Sequence, residues 1–308
     1  MFRELGQKLM PKLKTKFRYK TVVLGGIVLL SFLRLIKKED LIARLYMSIG
    51  QNQAALWAGM LWGEKQLLEK SFYQALINTG LIHIVVVSGT NLTILGRSLI
   101  EFLAGLIGRR EAIVLGLVVI VWYVDLVGWQ IPVVRAALFL FFYYLGQFIG
   151  RRLHPGRGLF LVALMMMVAD YRVVTEMSFW LSFLAFGAML ITGAEGVVKS
   201  TLWINLFLWP VLSWKFGSIS LWAPFLNLGV LFLVEVLTVL GFVGNLISLF
   251  CLGVGKFILN LGYPLLRYLT EIVLYFGQKG AWKFSFNWLM MIGWYLILAG
   301  YWHEKKKN

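Results

Sequence analysis

Cys251 is the only cysteine, so no disulfide can form within the chain. The three histidines, His83, His154 and His303, lie far apart, and no HxxH, HxH or CxxC spacing occurs. A dedicated zinc site is therefore not expected, and no other metal or cofactor is implied. The sequence has no GxxxxGK[ST] and no GxGxxG, so a pump driven by its own nucleotide site is not written here. Charge is scarce as well: 14% of residues are charged, against about 25% in soluble domains. Acidic residues are the scarcest, 14 against 30 Lys and Arg, which leaves a formal charge of +16.

What is abundant is apolar sequence. Hydrophobic residues make up 60% of the 308, and the mean hydropathy is +0.79. Apolar runs recur along almost the whole chain, which excludes a soluble enzyme held by a single anchor. They are continuous rather than alternating, which argues against a transmembrane barrel. Lipid offers no partner for an unpaired backbone group, so such runs must be helices. The expected fold class is all-α: a polytopic transmembrane bundle of about nine to eleven spans, with an amphipathic interfacial segment.

Four regions are expected. Residues 1–36 hold a basic N-terminus (Arg3, Lys8, Lys12, Lys14, Lys16, Arg18, Lys20) and a first, uncleaved helix. Residues 37–78 mix balanced charges with Trp57, Met60, Trp62 and Phe72, as amphipathic helices at the membrane interface do. Residues 79–242 form a transmembrane core, and 243–308 form C-terminal spans with a basic tail. The spans are expected at 81–95, 112–127, 133–149, 159–168, 179–192, 202–214, 221–240, 242–257, 259–276 and 288–301.

Cytoplasmic loops are enriched in Lys and Arg. Arg109 and Arg110, then Arg151, Arg152, His154 and Arg157, then Lys305, Lys306 and Lys307, are therefore expected on the cytoplasmic side. Both termini would be cytoplasmic, and the connection around 128–131 would face outward. The positive excess fits two partners, anionic lipid headgroups or a polyanion such as nucleic acid, and charge alone does not separate them.

The stretch GLIHIVVVSGTN, Gly80 to Asn91, places a histidine, a Ser-Gly step and an asparagine in an otherwise apolar run. On an unbroken helix His83 and Thr90 would share a face while Ser88 pointed away. Ser88-Gly89 after β-branched residues suggests a kinked or interrupted helix, tolerated at membrane depth where it lines a cavity or is buried in protein. A satisfied contact between helices explains the same residues equally well. Asp125, Arg135, Asp170, Glu176 and Glu235 fall within or near spans, where charge is costly and a functional role is the default. Glu235, inside VLFLVEVLTVL, is expected to face the bundle. A serine hydrolase using Ser88 and His83 would need further parts of a site that the sequence does not show.

Five blocks carry a resemblance. They are AALWAGMLWGEKQLL from Ala54, GLIHIVVVSGTNLTIL from Gly80, VVRAA from Val133, Ala169-Asp170 leading to SFWLSFLAFGAML from Ser178, and WPVLSWKFGSISLWAPFLNL from Trp209. In this order they resemble the membrane competence domain of the ComEC family, the proposed inner-membrane channel for DNA uptake. Asn91 stands where the family usually has a second histidine. Tyr171 replaces a proline, and Trp180 a glutamine. No HxHxDH motif of a metallo-β-lactamase-like domain and no OB-type domain is found, so the expectation is the membrane core alone.

The resemblance implies a non-enzymatic channel or translocase for single-stranded DNA in the inner (plasma) membrane. It places the family-matched polar residues His83, Ser88, Asn91, Arg135, Ser182 and Asn227 near the DNA path, and Gly89, Asp170 and Glu235 complete the candidates for it. The implied partners are single-stranded DNA, membrane lipids, a cytoplasmic helicase or ATPase, and separate DNA-processing or receptor proteins. Further copies of the chain are an open choice. Two other classes compete: a small-solute or lipid transporter built on the same bundle, and the intramembrane serine hydrolase.

Overall fold

The computed structural model describes residues 24–307 apart from Val86, Ser88, Arg152, Ala194 and Glu195. The expectations for the basic N-terminus, Ser88 and Arg152 therefore lie outside the described residues. Helices dominate as the apolar runs require. They are α1 (Leu24–Leu33), α2 (Lys38–Ser48), α3 (Gln51–Trp62), α4 (Lys70–Thr79), α5 (Gly89–Ile107), α6 (Arg109–Val127) and α7 (Ile131–Ile149). Then follow α8 (Pro155–Ala169), α9 (Met177–Thr192), α10 (Val197–Phe216), α11 (Ala223–Phe250), α12 (Leu252–Gln278) and α13 (Trp288–Lys307).

Among the described residues, α7, α11 and α12 are each long and apolar enough to cross a membrane. Shorter apolar helices are α1, α8, α9 and the Trp288–Trp302 part of α13. The chain is an all-α membrane protein. Two expectations about the spans need correction. The span expected from 81 begins at Gly89, because α4 stops at Gly80 and a 3-10 turn, Ile82–Ile84, intervenes. The three spans expected between 221 and 276 are two helices of 28 and 27 residues. Nothing in Gly241-Phe242 breaks a helix, whereas Cys251 is extended (φ −139°) and turns the chain into a tight hairpin. At 1.5 Å per residue each of these helices is about 40 Å long, close to the full thickness of a bilayer with its headgroups.

The region 37–78 divides. Both α2 and α4 bury one side and expose the other. In contrast, α3 is buried at every position from Ala54 to Trp62, so it is a core helix rather than an interfacial one. The reason is local: AALWAGMLW carries no charge, and the charges of the region lie on either side of it. Its last turn leaves carbonyls without intrahelical partners. The Met60 carbonyl accepts from Asn91 Nδ2 at 2.9 Å, and the Leu61 carbonyl accepts from Tyr123 Oη at 2.6 Å. These bonds tie the end of α3 to α5 and α6.

At one end of α6 and α7 the basic residues gather. Arg109 donates to Gln147 Oε1 at 2.9 Å and lies over the Tyr144 ring, and Arg110 lies over Phe148. At the other end, Gly128 (φ +89°) closes α6 in the left-handed conformation that glycine adopts without strain. Pro132 then opens α7.

Candidate functional site

Two places bring together the polar residues that stand out in the sequence. The first is built on Arg135, in the second turn of α7. Gly89, the first residue of α5, packs directly against this turn: a Cβ there would lie 3.0 Å from Ala136 Cβ, 3.2 Å from the Pro132 carbonyl and 3.5 Å from Arg135 Nη2. A glycine permits this approach, and the break before Gly89 aims the start of α5 at the guanidinium. Arg135 is half-buried. Its one described hydrogen bond is a long one, Nη1 to the Ser178 carbonyl at 3.4 Å, at the start of α9. Among the described residues no carboxylate pairs with it; the ion pairs join Lys38 to Glu64, Arg97 to Glu101 and Arg267 to Glu271. A guanidinium so placed retains donors for an anion.

The second place is a cleft of about 280 Å³ between the end of α4, the 3-10 turn, α9, α10 and the start of α11. His83, Asn205, Trp209, Ser218, Ser220 and Asn227 supply its polar residues, and leucine and isoleucine side chains supply much of the rest. Gly80 (φ +76°) ends α4 so close to α11 that a Cβ would lie 2.6 Å from Ala223 Cβ. Substituting it would therefore both strain the backbone and push the cleft apart. Ser220 is held from the far side: Ile219 and Trp282 exchange backbone hydrogen bonds of 2.8 and 2.9 Å. Three buried polar atoms of this lining have no hydrogen-bond partner in the structure, namely Trp209 Nε1, Ser220 Oγ and Asn227 Oδ1. Trp62 Nε1 and both amide atoms of Asn245, in the packed core, are unpartnered in the same way.

The two places meet at the first turns of α9, since Ser178 faces Arg135 and Leu181 lines the cleft. Of the residues singled out from the sequence, His83 and Asn227 share the cleft, and Gly89 and Arg135 share the junction. Ser182 donates to the Ser178 carbonyl one turn back in its own helix, at 2.8 Å. Asn91 is 1% exposed and bonded to Met60, with Thr238 Oγ1 3.4 Å from its Oδ1. Asp170 is exposed and accepts from the Arg172 backbone N–H at 2.9 Å, capping the turn that follows α8. Glu235 is exposed on α11, which corrects the expectation that it faces the bundle. Among the described residues no three His, Cys, Asp or Glu side chains come together to hold a metal ion.

Trp209 and Ser220 are cleft residues that sequence reasoning did not select. Both stand in the same block as Asn227, WPVLSWKFGSISLWAPFLNL, and that shared block is the available signal.

The family described as Competence protein matches residues 60–307, from the last turns of α3 to the end of α13. The chain belongs to the Competence protein family. Both the Arg135 junction and the cleft lie within the matched residues. No curated protein and no solved structure was found to match the chain.

Proposed function

We propose that this competence-family protein is the inner-membrane channel that passes one strand of DNA into the cytoplasm during uptake. Membership of the family over residues 60–307 is the observation that carries the reading. The physics of the cargo supports it. A phosphate backbone crossing lipid needs cationic donors on its path, and bases need neutral surfaces to lie against. Arg135 offers the first without a competing carboxylate among the described residues, and the cleft offers the second. The protein performs no covalent chemistry in this reading. A cytoplasmic helicase or ATPase draws the strand, and separate receptor or processing proteins deliver it. Both termini lie in the cytoplasm, on the side of the Arg109 and Arg110 cluster.

Deleting the gene in a naturally transformable host tests this directly. Labelled DNA should still bind the cell surface but no longer enter, and undiminished entry would refute the role. One observation favours a small-solute or lipid transporter instead: no charged residue lines the cleft. Solute or lipid flux in liposomes, with no DNA protected inside them, would select that reading.

A further inference from the structure

An open ion pair stands at membrane depth on α5. The helix runs parallel to α7, with Gly89 beside Ala136, Gly96 beside Leu140, and Arg97 in electrostatic reach of Tyr143. Since α7 is long and apolar enough to cross a membrane, the middle of α5 lies within it. There Arg97 and Glu101 are joined at 2.8 Å, with side chains 70% and 51% exposed. Thr93 is exposed one turn earlier, so residues 93, 97 and 101 form one stripe. Other sides of α5 are occupied. Gly96 and Ile100 pack against α6, and Leu92, Leu99 and Phe102 line an apolar groove with α6 and α11.

Charges at this depth turn to a bundle interior or a water-filled cavity, because lipid disfavours them. The helix contacts supply such an interior. α5 meets α7, α7 meets α9, α9 meets α10, α10 meets α11 and α11 meets α5, a closed circuit. Tyr143 locates the stripe within it. One turn before Tyr143 on α7, Phe139 meets Phe186 of α9 and Leu140 meets Gly96 of α5. Tyr143 therefore faces the gap between α5 and α9, and it is exposed. Further along the same line Arg109 lies over Tyr144 and donates to Gln147. A second exposed pair, Arg267–Glu271 of α12, lies outside the circuit, beside a pocket lined by polar residues of α2, α3 and α4.

We propose that the Thr93–Arg97–Glu101 face of α5 borders a water-filled lane along which the strand passes from Arg135 to Arg109. This rests on the transport reading above and gives the strand its route. The ion pair engages Arg97 through Nε, so its exposed terminal N–H groups remain for a phosphate. Glu101 beside it keeps each hold weak, as continuous passage requires.

The test places single cysteines on two faces of α5 in a Cys251→Ser background. Thr93→Cys and Glu101→Cys lie on the stripe, and Phe102→Cys lies on the groove side, where the native ring is 66% exposed. A charged, membrane-impermeant thiol reagent requires a thiolate in water. In spheroplasts it should modify the two stripe cysteines about tenfold faster than Phe102→Cys, because lipid excludes the charged reagent and the thiolate alike. Thr93→Cys changes little volume at an exposed position, so its contrast with Phe102→Cys stands even where Glu101→Cys does not fold. Modified Thr93→Cys should stop importing labelled DNA, and the same treatment should leave import by Phe102→Cys unchanged. Labelling of the stripe as slow as that of Phe102→Cys would overturn the lane and leave the transport reading standing. Fast labelling with import intact would likewise take the strand off this route. Import by a gene-deletion strain equal to that of wild type would remove the transport reading and this proposal together.

Discussion

Trp57 donates its indole N–H to the backbone carbonyl of Leu237 at 3.0 Å, joining the centre of α3 to the centre of α11. Two glycines make room for it. A Cβ on Gly241 would lie 2.6 Å from Trp57 Nε1, and one on Gly262 of α12 would lie 2.7 Å from the far edge of the same ring. The long α11–α12 hairpin thus closes around a side chain from the short helix before it.

Removing only the indole bond, with Trp57→Phe, should destabilise the folded protein by about 1 kcal/mol plus the smaller ring's lost packing. Gly262→Ala should cost about 1–3 kcal/mol by overpacking against the indole. The two changes should couple, so that Gly262→Ala is milder when Trp57 is already Phe, because the atoms it strikes are absent. Thermal unfolding of the purified single and double variants measures this. Strict additivity would mean that the ring and the glycine do not share the slot.

The ends of α3 give a second case. Asn91→Ala removes the donor to the Met60 carbonyl, and Tyr123→Phe removes the donor to the Leu61 carbonyl. Each leaves a buried carbonyl unpaired, a loss of about 1–3 kcal/mol. Thermal stability should fall in both variants, and DNA import should fall only in step with the amount of folded protein. Import abolished in well-folded Asn91→Ala would place this residue on the path instead.

Arg135 should behave in the opposite way. No carboxylate among the described residues depends on it, and its single described hydrogen bond is long, so Arg135→Met should fold as wild type does. Import should drop about tenfold or more, the equivalent of one charge-assisted hydrogen bond to the cargo. Arg135→Lys should recover part of it, since a point charge replaces the fork of donors. Comparable import by the Met variant at equal protein level would take the arginine out of the mechanism.

The sequence reveals some of this and hides the rest for one physical reason. Polar marks in apolar runs are visible, and Arg135 is such a mark; the Ser-Gly step signals an interrupted helix but does not move the expected start of the span from 81 to Gly89. Faces are not visible. In a soluble helix the polar side announces which side is buried, but here lipid-facing and core-facing positions are both apolar. Trp209 and Ser220 therefore read as ordinary packing, the uncharged stretch of α3 is short beside the charged residues that flank it, and no residue within α11 marks its true length. Glu235 shows the same limit from the other side, because its charge says that its position is special without saying which way it points.

That exposed carboxylate makes a prediction of its own. Glu235 lies near the middle of α11, on a surface that other groups of this chain leave open. A carboxylate facing lipid at mid-bilayer is unfavourable by about 2.5–3.5 kcal/mol on insertion scales. Glu235→Leu should accordingly raise the thermal stability of the protein in a bilayer and leave import unchanged. A loss of import with intact folding would show that this face meets the cargo or a partner.

Orientation can be read from Cys251. It is the only cysteine in the sequence and is exposed at the turn between α11 and α12, so no cysteine-free background has to be built. Thr238 of α11 meets Asn91 at the start of α5. From there the two helices run the same way along a shared groove lined by Leu92 to Phe102 and by Val239 to Val243. Cys251 therefore lies toward the end of α5, where Arg109 and Arg110 open α6. With the basic end in the cytoplasm, a membrane-impermeant maleimide should leave Cys251 unlabelled in intact spheroplasts and label it in inverted membrane vesicles. The opposite pattern would invert the chain, place the arginine cluster outside, and require a strand entering from the Arg135 end to travel the other way.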